Sequence, residues 1–199
     1  NNMTNQTKHI WLRDEVKPNE RRTALTPEGA KQLIDAGFKL TVERSTCRIF
    51  ADEEYEKLGC EMVASNSWIE NAPNATDYNS FVLGLKELPN PDQVVESGDK
   101  QITTPFAIPQ RHIFFAHCYK SQSGWKDNLK RFIDGKGEIL DLEFLNFDNG
   151  RRVAAFGVAA GYAGMATALL VWARQQLALK NGTTMNIGKL NPYDRKEDL

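Results

Sequence analysis

The sequence predicts an α/β fold, a mostly parallel sheet flanked by helices, and three observations carry that prediction. Short apolar runs, Ser80–Leu85 and Ile113–Ala116, are strand-like and lack polar alternation, as strands covered on both faces do. A helix with a readable start and stop lies between two strand-like segments, which forces a crossover and makes those strands parallel. Strand and helix signals then alternate along most of the chain.

The first strand is expected at Lys8 to Leu12, followed by a polar, charge-rich loop. Thr26-Pro27-Glu28 opens a helix: threonine caps, proline suits the first helical position, and Ala30, Leu33, Ile34 and Ala36 supply an apolar face that stops at Gly37. Phe38 to Glu43 is β-rich and alternating, and forms the second strand. A helix near Asp52 to Leu58, a strand near Glu61 to Val63 and a short helix near Ser67 to Asn71 lead to the strand that ends at Lys86. Residues 89–111 hold four prolines and are expected to be a long loop, of a length usually reserved for functional or mobile segments. Beyond the run ending at His117, Gly124 to Asp134 is amphipathic, Glu138 to Leu142 is a strand, and Gly157 to Leu179 is a long helix ended by Asn181-Gly182. Residues 183–199 are expected to be a solvated tail.

Composition excludes several classes of function. At 41% hydrophobic and 26% charged residues the chain is of ordinary globular type, and a net charge of −1 supplies no basic field for nucleic acid. Cys47, Cys60 and Cys118 lack metal-ligand or Cys-x-x-Cys spacing and are expected to be reduced, buried thiols in a cytoplasmic-type compartment. The polar N-terminal residues show no apolar signal segment. Val153 to Ala173 is 21 residues without a charge, long enough to span a bilayer, yet its alanines and glycines gain little in lipid. Its Gly157-x-x-x-Gly161-x-x-Gly164 spacing suits close packing of a buried helix and is wrong for a dinucleotide loop. No membrane association is expected.

The chemistry-bearing residues fall after strands. In a parallel sheet the carboxyl ends of neighbouring strands share the edge where ligands bind, so Lys86-Glu87 and His117 would face one cleft. A lysine acts as a base only when burial or nearby positive charge favours its neutral form, and the segment Lys17-Pro18-Asn19-Glu20-Arg21-Arg22 would project from the same edge. Glu87 would act in the opposite sense. Histidine exchanges protons near neutrality. The carboxylates of Asp141-Leu142-Glu143 end a later strand, and Arg22, Lys120, Arg151 and Arg152 form a cation set suited to a ligand with several carboxylates.

Those segments carry a family resemblance. Lys17-Pro18-x-Glu20-x-Arg22-x-Ala24-Leu25-Thr26-Pro27 resembles the opening signature of the alanine dehydrogenase and transhydrogenase superfamily. Gly84-Leu85-Lys86-Glu87, Phe115-Ala116-His117-Cys118-Tyr119-Lys120, Asp141-Leu142-Glu143-Phe144-Leu145 and Gly150-Arg151-Arg152-Val153-Ala154-Ala155-Phe156-Gly157 together resemble the NAD-dependent, lysine-forming saccharopine dehydrogenase family. The resemblance implies a Rossmann-like substrate domain of the alanine dehydrogenase type over residues 1–156, an interdomain-type helix over 157–182 and a tail over 183–199. It implies oxidation of saccharopine to lysine and 2-oxoglutarate with NAD. Lys86 would be the base at the secondary amine and His117 would manage protons during imine hydrolysis. Glu87 and Glu143 would tune this pair, while Arg22, Lys120, Arg152 and Phe156 would join Lys86 in contacting substrate, and Arg151 would reach the cofactor. The family's NAD-binding domain is expected after the long helix, so a separate or missing nucleotide domain is implied. An alanine dehydrogenase-like enzyme for a small monocarboxylate, or a non-catalytic amino-acid-binding module, are the competing readings.

Overall fold

The structure is a computed structural model that describes residues 7–155, 157–186 and 188. It divides into two compact units, Asn1–Arg152 and Val153–Leu199.

In the first unit six strands form one sheet: β1 (His9–Leu12), β2 (Lys39–Glu43), β3 (Glu61–Val63), β4 (Ser80–Leu83), β7 (Arg111–Phe114) and β8 (Glu138–Asp141). Their order is β3-β2-β1-β4-β7-β8 and every pairing is parallel. This is a doubly wound arrangement, with the order reversing between β1 and β4. The period-2 geometry of β1 sends Ile10 and Leu12 to one face and Trp11 to the other. On the first face they join Leu40, Val42, Ala30 of α1 (Pro27–Asp35) and Tyr55 of α2 (Asp52–Glu56). On the second, Trp11 packs with Val82, Phe114, Trp68 of α3 (Trp68–Asn71) and Phe132 of α4 (Trp125–Gly135). Helices on both faces explain why the strands are apolar without alternation.

Local signals fix the helix starts. The Thr26 hydroxyl accepts from the Gly29 amide at 3.1 Å, and the chain leaves α1 through Gly37 at φ 86°. Residues 89–111 differ from the expected loop. They hold an antiparallel hairpin, β5 (Val94–Ser97) and β6 (Lys100–Thr103), turned at Gly98-Asp99 with φ 61° at the glycine. Val95 and Ile102 are its buried apolar residues, Ser97 is buried beside them, and Asn66 donates to the Glu96 carbonyl at 2.9 Å. The prolines stand in the flanks of the hairpin. Buried Arg131 of α4 fastens those flanks, donating to the carbonyls of Pro89, Pro105 and Phe106 at 2.9, 3.1 and 3.0 Å. Gly135 lets Ile108 press close; a Cβ there would lie 2.3 Å from the Ile108 carbonyl carbon.

The thiols are free, but only Cys60 and Cys118 are buried, whereas Cys47 is exposed beside Ser45. The second unit contains the long helix α5 (Gly157–Asn181), which ends at Gly182 with φ 62°. Sequence predicts a buried helix, yet α5 buries none of its described residues, and its apolar side chains are distributed around it rather than along one stripe. No helix among the described residues is long and apolar enough to cross a membrane.

Candidate active site

The carboxyl ends of β1, β4, β7 and β8 bring charged residues to one edge. β4 and β7 pair with Leu83 beside Ile113, and their contact continues past the strands, with the Gly84 amide donating to Ile113 at 2.9 Å and the Phe115 amide to Leu85 at 3.3 Å. Carrying that register forward sets Glu87 opposite His117. Both strands end three residues before the predicted proton-transfer residues, at Leu83 and Phe114, so Lys86 and His117 stand on the following turns rather than on strand termini. His117 has φ 54°, a left-handed conformation that non-glycine residues rarely hold outside functional or tightly determined sites.

Two linked groups of charges result. His117 Nδ1 lies 3.5 Å from Glu87 Oε1, and Lys17 Nζ donates to both oxygens of the same carboxylate at 3.3 and 3.2 Å. Burial works to raise the Glu87 carboxyl, but its own backbone amide, Lys17 and His117 together hold it below the usual carboxylate range. Lys120 Nζ meets Glu143 Oε1 at 2.5 Å, and the Lys120 hydrogen bond, with further help from the Arg152 and His117 charges, lowers the Glu143 carboxyl. His117 thus contacts the Glu87 carboxylate, and its charge also acts on Glu143.

Arg22 grips Glu20 through Nε at 2.8 Å and Nη2 at 2.7 Å. That hydrogen-bonded pair lowers the Glu20 carboxyl against its burial, and the Lys86 charge acts in the same direction. The carboxylate that feels Lys86 is thus Glu20, whereas Glu87, its sequence neighbour, is engaged by Lys17 and His117. Half-buried Lys86 stands among these groups. Arg151 is exposed; its backbone closes the Asn146–Arg152 turn, accepting from Phe147 at 2.8 Å. Phe156 lies outside the described residues.

Sequence reading missed Arg13 and Glu15, which follow β1 directly and are buried against the Lys86 backbone. The signal was present: charges immediately after an apolar strand lie on the sheet's ligand edge. It missed Glu43 as well, at the carboxyl end of β2. This fully buried carboxyl accepts from Trp11 Nε1 at 3.0 Å, the amides of Asp14, Asn66 and Trp68 at 2.9, 2.9 and 2.7 Å, and Ser67 Oγ at 3.4 Å. Glu43 so ties β1, β2 and the start of α3 together. No cluster of metal-ligating side chains occurs among the described residues.

Residues 11–163 match the family described as alanine dehydrogenase/PNT, N-terminal domain. The proteins named saccharopine dehydrogenase [NAD(+), L-lysine-forming] from Emericella nidulans and Schizosaccharomyces pombe are each 52% identical to it. Their alignments cover 83% and 85% of this chain, and 40% and 41% of theirs. The chain thus spans about two-fifths of the length of these curated relatives. Alpha-aminoadipic semialdehyde synthase of Arabidopsis thaliana is 28% identical over 86% of this chain and 15% of its own. Among solved structures, an L-alanine dehydrogenase shares the fold at a TM-score of 0.51 and 17% identity, over 87% of this chain and 42% of that one. This chain belongs to the alanine dehydrogenase/PNT N-terminal domain family.

Proposed function

We propose that this chain is the substrate-binding and proton-transferring part of a lysine-forming saccharopine dehydrogenase, with residues 1–156 as its substrate domain. The overall reaction oxidises saccharopine with NAD and water to lysine and 2-oxoglutarate. The observation that carries this reading is the edge where a lysine and a histidine stand with Arg22, Lys120 and Arg152 around them. An amine oxidation needs a base, and a tricarboxylate needs several cations.

In this reading Lys86 accepts the proton of the secondary amine as hydride leaves the adjacent carbon, giving an imine. His117 takes a proton from the water that attacks the imine carbon. It returns that proton to nitrogen, and as the carbinolamine C–N bond breaks the hydroxyl proton passes to the same nitrogen, releasing the amine of lysine and the ketone of 2-oxoglutarate. Glu87 at Nδ1 holds the ring, which directs Nε2 to the chemistry. Glu143 interacts electrostatically with His117 and orders Lys120 for a substrate carboxylate. Arg22, Arg152 and Phe156 complete the substrate contacts, and exposed Arg151 meets the cofactor.

NAD accepts the hydride. No strand-to-helix turn among the described residues carries a glycine-rich phosphate loop, so this edge does not fit the dinucleotide on its own; a nucleotide-binding domain, joined or separate, supplies that site. The free thiols suit a reducing compartment, for which we propose the cytoplasm.

Calorimetric competition tests the substrate class. 2-Oxoglutarate and saccharopine are expected to bind and displace one another, with pyruvate much weaker. Tight pyruvate binding without 2-oxoglutarate binding would overturn the assignment in favour of a small monocarboxylate.

A further inference from the structure

On its β1 side the backbone that carries Lys86 is held by charged side chains rather than by strand pairing. Glu15 Oε1 accepts from the Leu85 amide at 2.6 Å and Oε2 from the Lys86 amide at 2.9 Å. Arg13 Nη2 donates to the Lys86 carbonyl, and Arg13 Nη1 lies 3.4 Å from Glu15 Oε2. Both side chains are buried, Arg13 at 2% and Glu15 at 8% exposure. The guanidinium rests against Gly84 so closely that a Cβ there would lie 2.2, 2.4 and 2.5 Å from its Nε, Cζ and Nη2. On the strand side the Arg13 amide still donates to Leu83 at 3.0 Å, the last rung between β1 and β4.

This is the point where the strand order reverses and the two chains must part to open a crevice. Parting would strand the amides of Leu85 and Lys86, and buried backbone groups without partners are costly. Arg13 and Glu15 replace the missing ladder. Burying an ion pair is itself unfavourable unless other hydrogen bonds satisfy it; here four backbone groups do so, the amides of Leu85 and Lys86 and the carbonyls of Lys86 and Asp14, while Arg13 Nε, packed on Gly84, has no hydrogen-bond partner among the described residues.

We propose that Arg13, Glu15 and Gly84 form a positioning clamp that fixes the backbone of Lys86 and thereby sets where its side chain leaves the sheet edge. The proposal rests on reading Lys86 as the base. The clamp carries one positive and one negative charge, so it orients the lysine with little net field of its own. Gly84 belongs to it because any side chain at that position would push the guanidinium off the Lys86 carbonyl. Arg13 and Glu15 act through the Lys86 backbone and are positioning residues, not catalytic ones.

The test is amide hydrogen exchange and 13C-dimethyl-lysine NMR on the chain, with the Lys86 signal assigned by Lys86→Arg. In Glu15→Gln and Gly84→Ala, exchange at Leu85 and Lys86 is expected to rise roughly tenfold or more, while Leu12 and Val42 change by less than about threefold. The Lys86 methyl signal should move toward those of exposed lysines. Arg13→Lys, which retains the charge, should fall between wild type and Glu15→Gln. Equal acceleration at Leu85, Lys86, Leu12 and Val42, an unmoved Lys86 signal, or unfolding of all three variants would overturn the clamp, because the trio would then serve the fold alone. A wild-type Lys86 signal that ignores saccharopine would instead sink the base assignment and leave the exchange result standing.

Discussion

Replacing His112 with leucine is expected to flatten the dependence of stability on pH below neutrality. His112 sits in β7, fully buried, and neither ring nitrogen has a hydrogen-bond partner among the described residues. Trp68, Phe114 and Phe132 surround it edge-on at centroid distances of 4.8, 5.9 and 5.4 Å. Burial first, then the charges of Arg13 and Arg131, drive its pKa well below the ordinary 6.5. In the unfolded chain the ring protonates near that ordinary value, so the unfolded state binds the extra proton and stability falls as pH drops below 6.5. Each unit of pH costs about 1.4 kcal/mol, so a fall to about pH 5 removes roughly 2 kcal/mol through this one residue. Glu43, pushed by burial up to about 7 against its hydrogen bonds, gives a slope of the opposite sign over an overlapping range. The wild-type profile alone therefore does not isolate His112. Urea unfolding of wild type and His112→Leu at about pH 8 and about pH 5 does, since Glu43 cancels in the difference. The variant should lose about 2 kcal/mol less on acidification. Equal losses in both proteins would refute a neutral, solvent-excluded ring.

Glu43→Gln should destabilise the domain by roughly 2–4 kcal/mol in the same urea assay, because an amide turns NH2 hydrogens toward some of the five donors the carboxyl now accepts. Thr26→Ala removes the cap on the Gly29 amide and should cost about 1 kcal/mol, read from the urea midpoint. Lys86→Met, measured as NADH formation from saccharopine with the nucleotide-binding domain present, should lower turnover by about 100-fold or more while the circular dichroism spectrum is retained. Near-normal turnover would remove Lys86 from the mechanism.

The features legible in the sequence are those whose cause is local. Thr26-Pro27 starts a helix because a hydroxyl and a fixed φ act within one turn, and Gly37 ends it because its backbone adopts φ 86°. The hairpin at Val94–Thr103 was hidden by the prolines around it, although Val95 and Ile102 carry the alternation of a one-sided sheet. The ends of β4 and β7 ran short of expectation because apolar character persists through Leu85 and Ala116 after the strands stop at Leu83 and Phe114.

The local signals in the chain carried the alternation of the six sheet strands with their helices, though not the hairpin of β5 and β6, and hence a parallel sheet with Lys86 and His117 near its carboxyl edge. Only the tertiary structure decided which charges meet there. Glu87 turns to Lys17 and His117, Glu20 takes Arg22 and feels Lys86, and Glu15 reaches 70 residues along the chain to the Leu85 amide. Periodicity and capping are set by neighbours a few bonds away, whereas ion pairing depends on distances that exist only after strands distant in sequence are laid side by side.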